Sequence, residues 1–345
     1  MFLRPPPSFE DFVIDHAEIY QECERFVGKP NDIAIKSTYN PLTKRFFGFS
    51  DSYVPDPINY RKDLWDDVGV FPDSWDNILK GGAAIRKKHK IPIGVGLSPE
   101  LDSNIALRSL LHSFGASVQD ENGQIILNSP QTIDAVKFMR SLYREAMAKD
   151  VFTWDPSTNN RMLLAGHGSL TLNAISITRT GEVRKIPLSD QIYIAPAASG
   201  PVAQIGVIHL MHAYVIWKFA QNISGARQFL VDYVINFRDA FLASGFYNFP
   251  CFPETVPDLK SLVAIDTAAT PQDKYSVLSN AAQWTAPIGY PGYANAVIDE
   301  TFSDWVISDM FASAARDDMS SEQAVRVAVD KVTKIQQKWR AAGKV

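Results

Sequence analysis

Cysteine is nearly absent from this chain: Cys23 and Cys251 are its two thiols in 345 residues. They have neither the spacing of a zinc site nor that of a redox pair. They read as small buried hydrophobes or, if the fold brings them together, as one disulfide. No apolar run reaches the roughly 18 residues that a membrane-spanning helix needs. The opening Met1-Phe2-Leu3-Arg4-Pro5-Pro6-Pro7 lacks the apolar stretch of a signal peptide, and its prolines would break one. A surplus of one charge is missing too. With 34 Lys and Arg against 38 Asp and Glu, the net charge of −4 gives no electrostatic ground for nucleic-acid binding. The one dense basic run, Arg86-Lys87-Lys88-His89-Lys90, stands where a helix should end and offsets the negative pole of its dipole. No phosphate-binding loop, dinucleotide glycine pattern, His-Glu-x-x-His or Gly-x-Ser-x-Gly is present, so no catalytic group is predicted. His209-Leu210-Met211-His212 would put its imidazoles on opposite strand faces, a poor metal site.

What remains is a globular composition, 46% hydrophobic and 21% charged, in a chain long enough to favour two domains. Strand and helix patterns alternate, which indicates an α/β architecture. A helix-like pattern covers 8–28, and a short strand is expected at 45–49. A short helix at 61–68 is followed by one that Ser74 caps from Trp75. Residues 91–97 read as a strand and a helix runs from about Asn104. A hairpin is expected around Asp120-Glu121-Asn122-Gly123, then a helix opened by Asn128-Ser129-Pro130. Strands follow at 169–172 and 192–195, and one long strand at 206–219. Asn222 then leads into an amphipathic helix, and 295–340 is mostly helical.

The segment Tyr53-Val54-Pro55-Asp56-Pro57-Ile58-Asn59-Tyr60-Arg61-Lys62-Asp63-Leu64-Trp65, with Pro72-Asp73-Ser74-Trp75, carries the most information. It resembles the first interlobe crossing of the extracellular solute-binding proteins of carbohydrate ABC importers, family 1, the maltose-binding-protein-like group. The Tyr-x-Lys-Asp-Leu pattern is intact at Tyr60, Lys62, Asp63 and Leu64, and Ser74-Trp75 replaces Thr-Trp. Further blocks follow in the family's order: Phe114-Gly115-Ala116, Leu127-Asn128-Ser129-Pro130, Leu163-Leu164-Ala165-Gly166, Val215-Ile216-Trp217-Lys218, Gly245-Phe246-Tyr247-Asn248-Phe249-Pro250 and Ser320-Ser321-Glu322-Gln323-Ala324.

The resemblance implies an α/β, two-lobed periplasmic-binding-protein-like fold of type II. Lobe one would comprise 1–52 and 210–250, lobe two 57–205 and 253–345. The hinge crossings would lie near 53–57, 204–209 and 249–253. Only residues 1–52 precede the first crossing, so the resemblance also implies an incomplete lobe one, without its opening strands and helices. The implied function is the substrate-binding component of an ABC importer, closing on a sugar or related small solute. Its implied partners are that solute and the membrane permease, with no cofactor, no metal and no nucleic acid. It would act as a monomer in the periplasm or outside the cell. A truncated or split-gene member with impaired binding is the alternative reading, and an enzyme on the same fold a third.

A sugar offers hydroxyls to polar groups and C–H faces to aromatic rings, so position must select among 7 Trp and 12 Tyr. By family position the candidate ligand residues are Tyr53 and Asp56 on the first crossing and Asp102, Ser103 and Asn104 at a helix start. Asn173 and Ser176 follow the 169–172 strand, and Gln204 and Gly206 lie on the second crossing beside His209. Trp284, Tyr290 and Tyr293 belong to an aromatic loop. Each has a plainer role available: Asp56 as a turn former, 102–104 as helix caps, the aromatics as core. Val54 departs from the carboxylate that the family pattern carries at its position. Trp154, Trp217 and Trp305 are read as core.

Overall fold

The computed structural model describes residues 7–345. Residues 1–6, most of the proline-rich opening, lie outside the described residues. Two three-stranded antiparallel sheets organise the fold. In the first, Phe49–Val54 runs between Leu210–Tyr214 and Phe249–Pro250. In the second, Ile58–Arg61 runs between Leu170–Leu172 and Ile192–Ala195. Every residue of both central strands is buried. They are separated only by residues 55–57. Pro55 and Pro57 have no N–H to give a ladder, so pairing ends at Val54 and resumes at Ile58 in the other sheet.

The chain passes between the sheets twice more. After Ile192–Ala195 it forms Gly206–Val207, paired in parallel with Thr285–Ala286, before entering the first sheet at Leu210. The long strand expected over 206–219 is therefore broken. Ile208 N–H donates to Ala286 O and His209 N–H to Val54 O, so the ladder changes partner at this point. The third passage follows Phe249–Pro250 and leads to the helices Ala296–Ser303, Val306–Ala315 and Ser321–Ala341, which pack with Leu101–Ser113 and Pro130–Glu145.

Several helices start where the sequence places a cap. Ser74, Ser129, Asn222 and Asn295 each accept from an N–H three residues on, and Ser320 and Gln323 form a reciprocal capping box. Other expectations are corrected. The helix expected from Asn104 starts at Leu101, because the Glu100 carboxylate accepts from Asp102 N (2.7 Å) and Ser103 N (2.5 Å); residues 102–104 lie in its first turn. Residues 91–97 make only the bridges Ile93↔Met147 and Gly94↔Thr171, since Pro92 cannot donate. The pattern over 8–28 divides into a 3-10 turn, Pro7–Phe12, and the helix Ala17–Val27. Cys23 and Cys251 are both buried and free, not bridged. Of the three tryptophans read as core, Trp154 is buried, but Trp217 is 36% exposed and Trp305 only half-buried. Trp217 instead stacks on the more exposed Phe219 at 5.7 Å.

Candidate functional site

The second passage between the sheets brings His209 against the first. Its Nδ1 donates to Asp56 Oδ1 at 3.1 Å, and its Nε2 lies 3.8 Å from Asp102 Oδ1. Pro57 disfavours a helical backbone at Asp56, the residue before it. Asp102 is held from the opposite direction: Asn159 Nδ2 and Asn173 Nδ2 both donate to its Oδ2, at 2.8 and 2.9 Å. Asn173 Nδ2 also donates to Asn160 Oδ1 at 2.6 Å, and Asn160 Nδ2 donates to Ser176 Oγ at 3.2 Å. The result is a continuous polar cluster from the link at 55–57 to the helix Ser176–Val183. Asp56, Asp102, Asn173 and His209 are all buried.

Burial in this cluster disturbs acidity. It pushes the Asp102 carboxyl up to about 7; the His209 charge opposes the rise and Glu100 and Asp56 reinforce it. Burial likewise raises Glu100, against its hydrogen bonds to Ser103 and the helix N-terminus. For His209, burial alone would lower the imidazole, but the Asp56 hydrogen bond and the charges of Asp56, Asp102 and Glu100 outweigh it and its pKa is raised. Half-buried Tyr247, from the loop entering Phe249–Pro250 in the first sheet, faces the same charges. Burial pushes its hydroxyl up to about 12, with Asp102 and Asp56 adding to the shift.

Of the candidates named from the sequence, the structure brings Asp56, Asp102, Asn173 and Ser176 into this cluster. The others make no hydrogen bond or ion pair with its members and have neighbours of their own. Tyr53 is buried against Phe249. Ser103 Oγ is tied to Glu100, and Asn104 Nδ2 donates to Phe302 O at 2.9 Å. Gln204 is exposed and donates to Ala197 O. Gly206 fits where little else would: a Cβ there would stand 2.9 Å from Ala197 Cβ and 3.5 Å from Trp284. Trp284 is buried, with its indole N–H unpartnered. Tyr290 is half-buried, edge-on to His112 at 5.2 Å, and Tyr293 is 5.9 Å from Tyr39. Sequence reasoning missed Glu100, Asn159, Asn160 and Tyr247. Their local signal is that of caps and turns, and only the packing of the helix Thr158–Leu164 beside Leu170–Leu172 turns Asn159 towards Asp102 and Asn160 towards Asn173 and Ser176.

A second junction spans the sheets away from the links. Arg179, on the helix Ser176–Val183, donates from Nε to Gly245 O at 2.8 Å; Gly245 and Phe246 both adopt positive φ, at 61° and 65°. The guanidinium lies 3.9 Å from the Tyr275 ring and 5.2 Å from that of Phe246, and it pairs with Glu182 (3.0 Å) and Asp266 (2.5 Å). Among the described residues no group of His, Cys, Asp and Glu is disposed to hold a metal ion. No helix among them is long and apolar enough to cross a membrane.

Comparison with known proteins gives three findings. The model of the family described as bacterial extracellular solute-binding protein matches residues 33–244. No curated protein sequence matches the chain. Many solved structures share its fold. The maltose-bound MalE3 of T. maritima has a TM-score of 0.76 at 19% identity, covering 96% of this chain and 83% of its own. A sugar transporter from Arthrobacter chlorophenolicus with bound laminaribiose gives 0.74 at 12%, covering 96% and 81%. An ABC transporter solute-binding protein from Agrobacterium radiobacter in complex with ribitol gives 0.76 at 12%, covering 95% and 81%. The fold is thus the two-lobed α/β fold of periplasmic binding proteins, as the sequence resemblance implies.

Proposed function

Because the chain belongs to the bacterial extracellular solute-binding protein family, we propose that it is the substrate-binding component of an ABC importer and holds a sugar or polyol between its two sheets. Lobe one would comprise 1–52 and 210–250, lobe two 57–205 and 253–345, with hinges near 53–57, 204–209 and 249–253. The cluster of Asp56, His209, Asp102 and Asn173 carries this reading. It joins two of the links to the second sheet, and Tyr247 faces it from the first. Carboxylates and amides supply acceptors and donors for hydroxyls, and Tyr247 supplies the ring face a sugar needs. Bound proteins named above carry maltose, laminaribiose and ribitol, which supports a polyhydroxy ligand. Ligand contacts to both lobes would favour the closed arrangement, and that form would engage the permease outside the cytoplasmic membrane.

Titration calorimetry of the whole chain against maltose, laminaribiose, ribitol and a wider set of oligosaccharides tests the reading. One-to-one saturable binding by at least one is expected, weakened by more than tenfold in Tyr247→Ala and Asn173→Ala. Absence of heat from every member, with the chain folded, would refute it.

A further inference from the structure

His209 stands where two of the links meet the helix Leu101–Ser113. Its N–H donates to Val54 O at 2.8 Å, at the edge of the link 55–57. Its buried ring has one nitrogen for each of two carboxyl groups. Nδ1 lies 3.1 Å from Asp56 Oδ1 on that link, and Nε2 lies 3.8 Å from Asp102 Oδ1 in the first turn of the helix. The two contacts differ in what they require. A neutral imidazole has one N–H and one lone pair. With the N–H given to Asp56, the lone pair faces Asp102, and an ionised carboxylate is repelled by it. The Asp102 contact therefore holds only while one further proton is present, on the ring or on the carboxyl. Asp102 cannot turn away from this choice, because its other oxygen is fixed by the Asn159 and Asn173 amides at 2.8 and 2.9 Å. The surroundings keep that proton in play near neutral pH. Burial pushes Asp102 up to about 7, with Glu100 and Asp56 reinforcing the rise. Burial alone would lower His209, but Asp56, Asp102 and Glu100 together hold it above its ordinary value. Tyr247, pushed up by burial to about 12, stays uncharged in this range, and Asn159, Asn160 and Asn173 do not titrate.

We propose that one proton shared by His209 and Asp102 is a switch for the hinge. While it is bound, the ring ties two links to the helix Leu101–Ser113; once it is lost, ring and helix separate and the lobes open. The proposal draws on the two-lobed fold and this geometry, not on the identity of the solute, so it stands or falls apart from the sugar-binding reading.

Small-angle scattering of the ligand-free chain at a series of pH values from about 6 to 9.5 provides the test. The carbon-13 shift of the His209 ring is followed in the same buffers and assigned by its loss in His209→Gln. The radius of gyration should rise as the ring and Asp102 give up their shared proton, over the roughly two pH units of a single-proton step. Asp102→Asn separates a switch from a merely structural contact. Its oxygen takes the Asn159 and Asn173 bonds, which leaves its amide NH2 to donate to the neutral Nε2. This variant should therefore keep the compact radius throughout, whereas loss of a merely structural ion pair would loosen it at every pH. His209→Gln retains a donor for Asp56 and has no proton to lose, so it should show no step either, at whichever radius it adopts. If one variant fails to fold, the other still decides. A parent ring that loses its proton at constant radius, or keeps it to pH 9.5, would overturn the proposal. A step of unchanged size in Asp102→Asn or His209→Gln would do the same.

Discussion

Asp102 shows how far burial can move a single residue. Held at about 7 against an ordinary 3.8, it carries more proton in the folded than in the unfolded state. Its contribution to stability is therefore lost as pH rises from about 4 through 7. His209, raised above 6.5, has the same sign: what it contributes below 6.5 is lost as pH rises through its folded pKa. His112, buried and pushed down to about 4, has the opposite sign, but its effect is complete by 6.5. Stability should therefore fall as pH rises above 6.5 and through the folded pKa of His209, and Asp102→Asn should flatten the start of that fall. The slope removed is at most about 1.4 kcal/mol per pH unit. Urea unfolding at half-unit pH steps checks this; identical slopes in both proteins would show that Asp102 titrates normally. Asp102 and Asn173 could be singled out from the sequence through the family pattern around them. Glu100 and Asn159 could not, since a carboxylate before a helix and an amide inside one look like a cap and a surface residue until their partners are known.

Among the elements, the last helix is the most local. Ser320 Oγ accepts from Gln323 N at 3.2 Å and Gln323 Oε1 from Ser320 N at 2.9 Å, both legible in Ser-x-x-Gln. Ser320→Ala should cost about 1 kcal/mol, read as a shifted denaturation midpoint at unchanged m-value. The helix Ser176–Val183 is the reverse case. Nothing local marks Arg179, yet it reaches across to Gly245 O while Ser176, one turn earlier, accepts from Asn160. Arg179→Ala removes the donor, the ring contacts and the partner of Asp266 together. Its ligand-free radius of gyration in small-angle scattering should rise above that of the parent, and Arg179→Lys should fall between them. Equal radii in all three would mean that the junction does not hold the lobes together.

Across the whole molecule, the two sheets are unequally protected. The second gains a bridge from Gly94 to Thr171 and lies beside the helices packed around Leu101–Ser113. Over 8–49 and 210–248, Phe12, Phe26, Phe219 and Phe229 are each more than half exposed, whereas no large apolar side chain over 93–172 is. Apolar surface left in water contributes nothing to holding its element closed, so local opening there should be easier. Amide exchange is expected to be faster over 8–49 and 210–248 than over 93–172, and uniform protection across both would contradict this.

By itself the sequence determined what depends on near neighbours. Helix starts at Ser74, Ser129, Asn222 and Ser320 need only a side chain and an N–H three residues on, and the interruption at 55–57 needs only two prolines without N–H groups. The two-lobed architecture was legible as well, because the order of motifs along the chain carries it. Tertiary structure alone decided that the 206–219 segment changes partner at His209, and that His209 meets Asp56 across 153 positions. It also decided which groups bury the Asp102 carboxyl and so push it up, to about 7. Each depends on which distant groups share a low-dielectric interior with water excluded, a property of packing that no local run of residues contains.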